Sequence, residues 1–218
     1  MHRFTVGLIA LALAAFAATP AAAQGWHAGV EGGVNISDLD VEGTELDTET
    51  GIRVGGVLRY DFAPDGLVGI QTGVAYSQKG ASETEGDTDL AIELDYIEVP
   101  LLLTVNVPTG STVRPRLYAG PQVAFEAGCN LKGTDGSITV DVACDSDELE
   151  EIGFNTESTD FSLLFGGGLQ VEAGPGVLTL DGRYDLGLTD INASAGPDQT
   201  EAKNRTFQIS AGYLFSLQ

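Results

Sequence analysis

Basic residues are scarce in this chain of 218 residues, where 10 Lys and Arg stand against 32 Asp and Glu for a formal net charge of −22. That imbalance excludes nucleic acid and anionic surfaces as natural partners, and favours cations or a medium salty enough to screen the repulsion. Histidine is nearly missing too. With His2 at the extreme N-terminus, His27 is the one histidine in the body of the chain, so a Ser/His/Asp or Asp/His device lacks its base. A paired-carboxylate hydrolase has no motif in its favour, and no enzymatic activity is expected. Long apolar runs are also absent after the N-terminal region, which excludes a membrane helix there.

The N-terminal region has a weakly basic start at His2 and Arg3, a short apolar stretch from Val6 to Ala18, and Ala21-Ala22-Ala23 ahead of Gln24. This is the build of a secretory signal peptide over residues 1–23, its apolar core too short to span a bilayer. Residues 24–218 then form one domain with no linker-like change of composition.

What the chain does have is a period of two. Eight stretches alternate apolar residues with polar ones or glycine. In the first, Trp26, Ala28, Val30, Val34 and Ile36 fall on one face, with His27, Glu31, Asn35 and Ser37 on the other. The second sets Ile52, Val54, Leu58, Tyr60 and Phe62 against Arg53, Arg59 and Asp61, and the third Val68, Ile70, Val74 and Tyr76 against Gln71, Ser77 and Lys79. The fourth sets Ile97, Val99, Leu101, Leu103 and Val105 against Glu98, Thr104 and Asn106, and the fifth Leu117, Val123 and Phe125 against Arg116, Tyr118, Gln122 and Glu126. The last three begin near Phe161, Leu178 and Thr206 and repeat the pattern. A soluble lipocalin-like barrel would turn the apolar face inward around a ligand, whereas a membrane barrel turns it outward to lipid.

The connections decide between these two. Four of them, 38–51, 80–91, 129–160 and 190–203, hold 22 Asp and Glu against two bases, Lys132 and Lys203. The three between them, near 63–66, 108–113 and 174–176, are short and contain one acid, Asp65. Long outer loops alternating with short periplasmic turns, joined by strands of about ten residues, mark an outer-membrane barrel. The expected fold is therefore all-β: an eight-stranded antiparallel up-and-down transmembrane β-barrel, integral to the outer membrane of a Gram-negative-type cell and surrounded by its lipids. Pro100 cannot donate a ladder hydrogen bond, so a bulge or local break is expected in the fourth strand.

Gly29–Asn35 (G-V-E-G-G-V-N), Tyr96–Leu103 (Y-I-E-V-P-L-L-L), Leu117–Gln122 (L-Y-A-G-P-Q), Arg183–Leu188 (R-Y-D-L-G-L) and Gly212–Phe215 (G-Y-L-F) together resemble the PorT-like outer-membrane β-barrel domain proteins, often titled "porin family". The resemblance implies an outer-membrane location, makes Pro100 a family feature, and carries no agreed molecular activity.

Three constellations are candidate sites. Glu31, Arg53, Arg59, Glu98, Arg116, Asp181 and Arg183 all fall on the expected lumen face, either as a proton or ion path or as a paired network filling an interior too narrow for a channel. Arg116 and Arg183 are the expected partners of Glu98 and Asp181. Cys129 and Cys144 share the longest outer loop, where an oxidising environment favours a disulfide over a thiol nucleophile or a metal site. Asp38, Asp40, Glu42 and Glu49 around Gly43 fit a calcium-loop spacing, and equally a solvated, self-repelling loop with no ion of its own. No other cofactor is implied. The function classes left open are a structural or surface-interaction barrel, whose acidic loops meet divalent cations or cell-surface ligands, and a transport or secretion-accessory barrel that passes a small solute.

Overall fold

In a computed structural model of the chain, residues 25–41, 47–62, 67–85, 88–135, 138–144, 158–190 and 202–217 are described. The expected signal peptide, residues 1–23, lies outside them. The strands are β1 (Trp26–Val41), β2 (Asp47–Asp61), β3 (Val68–Glu85), β4 (Thr88–Asn106), β5 (Val113–Asp135), β6 (Ile138–Ala143), β7 (Thr159–Ala173), β8 (Gly176–Gly187) and β9 (Ala202–Ser216). Every pairing is antiparallel, and β1 closes on β9 from His27↔Ser216 to Val41↔Ala202. With β4 paired to β5 and β5 to β7, eight strands form a closed barrel. Closure is obligatory in hydrocarbon, where an open sheet edge would strand its donors and acceptors. No helix among the described residues is long and apolar enough to cross a membrane.

Alternation of side chains sorts the barrel wall. Val30, Val54, Leu103, Leu117, Phe161, Leu180 and Ile209 stand among its exposed outward residues, while Asn35, Glu98, Thr104, Thr206 and Gln208 are buried inside. Aromatic rings gather at the short-turn end, where Trp26 packs on Tyr60 (centroids 4.8 Å apart) and Tyr213 on Phe215 (4.7 Å), as at a membrane interface. At that end β7 returns to β8 through Gly174 and Pro175, a two-residue turn in which Gly174 holds φ at +61°, a conformation that suits glycine.

The strands are longer than about ten residues, the length a bilayer requires. β3, β4 and β5 run 18, 19 and 23 residues, so much of the expected outer loops 80–91 and 129–160 is paired sheet. The ninth strand, β6, folds back on the outer end of β5, from Asn130↔Ala143 to Asp135↔Ile138. Val41 and Asp47 likewise bring strand structure into the expected loop 38–51. The strands outlast the lipid because antiparallel pairing continues in water once the barrel has set the register.

At Pro100 the expected irregularity is a local break: no β3 partner pairs with Val99 or Pro100, although the register is unchanged on either side. Its neighbours Thr72↔Leu101 and Ala75↔Glu98 keep one register on β3, and the Thr72 hydroxyl donates to the Pro100 carbonyl at 2.7 Å. The register shift in β4 falls instead between Asp95 and Tyr96, which pair with Gly128 and Glu126 and leave Ala127 as the extra residue of a bulge in β5. One added residue reverses the inward and outward phase of everything beyond it. Below the bulge Arg116, Tyr118, Gln122 and Ala124 point inward; above it Cys129 does, and the outward positions pass to residues such as Lys132.

Candidate functional site

The barrel interior is lined by charge in contact with opposite charge. Glu31 on β1 lies between Arg53 of β2, to which it is ion-paired, and Arg183 of β8 at 2.9 Å. Glu98 on β4 accepts from Arg53 at 2.9 Å and faces Lys79 of β3 at 3.0 Å. Lys79 continues to Asp185 at 2.7 Å, and Gln122 donates to the same carboxylate at 2.8 Å. Six groups from five strands thus form a chain across the lumen, from Arg183 through Glu31, Arg53, Glu98 and Lys79 to Asp185. Nearer the short-turn end Arg116 meets Asp181 at 3.3 Å and Gln71 at 2.9 Å, and Arg59 reaches Gln170 at 3.0 Å and Asp61 at 3.5 Å. Arg116 and Arg183 flank the Tyr118 ring, 4.9 and 5.9 Å from its centroid. Gly166 leaves room for this crowding, since a Cβ there would sit 2.8 Å from that of Arg183.

Buried ions of this kind require partners, because a lone charge in so dry a place carries a penalty of several kcal/mol. Each carboxylate and each base named here has at least one. What such an arrangement does chemically is brace the strands against one another across the barrel interior.

All seven lumen residues read from the sequence are inside and buried, and their pairing matches expectation at Arg116 and Asp181 alone. Glu98 belongs to Arg53 and Lys79; Arg116 takes Asp181; Arg183 takes Glu31. Lys79 and Asp185 join the network although they are not among those seven. Only the strand order places them side by side.

Above the lumen the inner face turns apolar. Leu39, Ala81, Leu94, Tyr96, Ala124, Cys129 and Cys144 are buried together, with Ile92, Leu131 and Ala202 packed against them. Cys129 and Cys144 form a disulfide across the β5–β6 hairpin, their Cα atoms 5.3 Å apart, beside a backbone bond from the Cys144 amide to the Cys129 carbonyl. The outer face of the same strands is charged: Lys132 donates to Glu93 at 2.7 Å, which holds its ammonium above the ordinary lysine range, and the Tyr76 hydroxyl donates to Asp95 at 2.7 Å. Nothing in a period-two reading that stopped at Glu126 could have found this cluster.

Of the four residues of the calcium spacing, the three that are described, Asp38, Asp40 and Glu49, are not brought together. Asp38 and Asp40 lie on the side of β1 that faces β9, where Arg205 donates to Asp40 at 2.8 Å. Glu49 instead lines a recess of about 210 Å³ with Glu93, Asp95 and Lys132, and Glu42 is outside the described residues. Among the described residues no three His, Cys, Asp or Glu side chains are placed to hold a metal ion.

An apolar belt, an aromatic rim and a closed sheet are the marks of a barrel that lives in an outer membrane. A family model described as the outer membrane protein beta-barrel domain matches residues 20–193. The chain belongs to that family. Its members' fold places this protein in the outer membrane as an integral barrel, with the short turns toward the periplasm. Among solved structures it is similar to Ail, the attachment invasion locus protein of Yersinia pestis, at 18% identity over 87% of this chain and 98% of that one, with a TM-score of 0.45. It is also similar to Neisserial surface protein A, at 14% identity over 88% and 97% of the two chains and a TM-score of 0.48. A second structure of Ail holds the heparin analogue sucrose octasulfate. No curated protein matches the chain by sequence.

Proposed function

We propose that this outer-membrane barrel works as a structural or surface-interaction protein, through the sheet and acidic segments at its outer end, and does not conduct solute. One observation carries the proposal: the lumen is crossed by the ion-paired chain from Arg183 to Asp185 and is followed by the apolar cluster around Leu94 and the disulfide. Work is then left to the part that projects from the membrane. We place the protein among the PorT-like members of its family and take residues 1–23 to be removed on export. We assign it no catalysis, since His27 sits near the short-turn end with its Nδ1 3.5 Å from Asp61, away from the outer surface.

Reconstitution of the purified barrel in planar bilayers tests the proposal. The expected outcome is electrical silence, with capture of cell-surface ligands that depends on the outer segments. Steady, selective conductance, or solute flux into loaded vesicles, would move the protein to the transport class.

A further inference from the structure

The ion-paired chain leaves one buried acid without a base. Asp160 on β7 is 1% exposed, and its partner is a neutral side chain, Asn204 of β9, which donates to one carboxylate oxygen at 2.8 Å and to the Tyr96 hydroxyl at 3.4 Å. The bases near it are engaged elsewhere. Lys79 is held between Asp185 and Glu98, Arg53 between Glu98 and Glu31, and Arg183 against Glu31, so three bases balance three acids and Asp160 is one negative charge in excess. Toward the short-turn end Arg116 matches Asp181 and Arg59 matches Asp61.

Around Asp160 the wall of the lumen carries oxygens that no protein donor reaches. The second carboxylate oxygen of Asp160, Oδ1 of Asp185, the side-chain carbonyl of Asn204 and the hydroxyl of Thr206 are buried with no hydrogen-bond partner. The strand order gathers them about Gly187. This inward position on β8 carries no side chain, pairs with Ser162 of β7, and lies so close to β9 that a Cβ there would sit 2.7 Å from the Asn204 backbone oxygen. Asp185, two residues back on β8, opposes Thr206, while Asp160, two residues from Ser162, reaches past the glycine to Asn204. Direct and diagonal neighbours on one face of a sheet stand within about 8 Å, so the four oxygens border one space. Water satisfies orphaned oxygens but leaves the charge of Asp160 bare, and a bare buried charge is costly.

We infer that the lumen binds a small monovalent cation of the sodium type between Asp160, Asp185, Asn204 and Thr206. The donors set the class: oxygen ligands without nitrogen or sulfur suit a hard ion, and one uncompensated acid matches a single positive charge. Asp185 keeps Lys79 on its other oxygen. Tyr96, which touches Asn204, belongs to the apolar cluster above, so the site is shut off from the outer end and the ion is taken up as the barrel folds. The site is independent of the surface-interaction reading, since a sealed lumen and a conducting one both leave Asp160 without a base.

The test refolds the full mature barrel from urea into lipid vesicles in sodium chloride or in the chloride of N-methylglucamine, a bulky organic cation, at equal ionic strength and pH. The expected result is a urea midpoint that rises with sodium concentration and saturates, as for any ligand of the folded state alone, and that does not rise with methylglucamine. Asp160→Asn, which removes the charge and keeps the shape, should abolish the difference between the salts, and Thr206→Val, which removes one oxygen, should raise the sodium concentration needed by about tenfold. In the unaltered barrel the side-chain amide of Asn204 should show a saturable NMR shift with sodium, a readout that needs no variant to fold. Equal midpoints in the two salts with an unmoved Asn204 amide would overturn the site, as would a sodium preference that survives Asp160→Asn. A midpoint that follows pH and ignores the cation would put a proton on Asp160 in place of the ion and overturn the site as well.

Discussion

Two stretches of the same sheet obey opposite rules. Across the bilayer, β4 turns Ile97, Leu101 and Leu103 outward and Glu98, Thr104 and Asn106 inward. A few residues further on, the strand turns Asp95 and Glu93 outward and Leu94 and Ile92 inward. Backbone pairing is the same on both sides of this line, so the difference comes from the surroundings. Lipid accepts only apolar side chains and leaves the polar ones to satisfy each other in the lumen. Water reverses the preference, and the projecting sheet behaves like one layer of a soluble protein with its apolar face inward. The bulge at Ala127 makes the exchange on β5, by shifting its phase one residue relative to β4.

The largest effect should come from breaking the interior of the membrane part. Arg53→Met leaves Glu31 and Glu98 short of their shared base and is expected to reduce stability by about 3–5 kcal/mol, read as a lower urea midpoint in lipid vesicles. Unchanged stability together with new conductance would show that the network guards a path and does not brace the wall. A smaller effect sharpens the contrast between regions. Leu180→Arg, on the lipid face, should cost about 2–4 kcal/mol, whereas Val140→Arg, above the membrane, should stay within about 0.5 kcal/mol. Equal costs in the same vesicles would place Val140 in lipid.

The disulfide belongs to the projecting part alone. Replacing Cys129 and Cys144 with serine removes a covalent ring whose 15-residue separation is worth at most about 3 kcal/mol on a model-dependent entropy estimate. The β5–β6 hairpin should then become easier to cut with protease while heat-modified gel migration shows the barrel intact. Loss of the barrel itself would mean that the two regions fold as one. The smallest effect concerns the first outer connection. With Asp40 held by Arg205 and Glu49 directed elsewhere, calcium is expected to protect the outer segments from proteolysis no more than sodium chloride of equal ionic strength. Better protection by calcium would mean that Asp38, Asp40, Glu42 and Glu49 regather around the ion.

The membrane part was legible in the sequence because one rule, a period of two, runs through it without interruption. Val30, Ile52, Leu103 and Phe207 face lipid as alternation requires, and Glu31, Arg53 and Glu98 face inward. Partners within the lumen were not legible. Lys79 and Asp185 are 106 residues apart, and only the curvature of the closed sheet sets them at 2.7 Å. The projecting part was missed for a different reason. Its acids resemble those of solvated loops, and the inward phase of Cys129 and Leu131 is hidden by the bulge at Ala127, which a count by twos across β5 cannot detect.

The exchange of faces can be located directly by scanning the outward positions of β4 with single spin labels in the disulfide-intact barrel in lipid vesicles. Labels at Leu101, Val99 and Ile97 should relax with oxygen dissolved in the bilayer, and labels at Asp95, Glu93 and Ala91 with a water-soluble nickel chelate. The switch is expected between Ile97 and Asp95. Oxygen-dominated relaxation continuing through Glu93 and Ala91 would contradict it, because the apolar inner face would then lie at the depth of lipid and the projecting sheet would be part of the membrane wall.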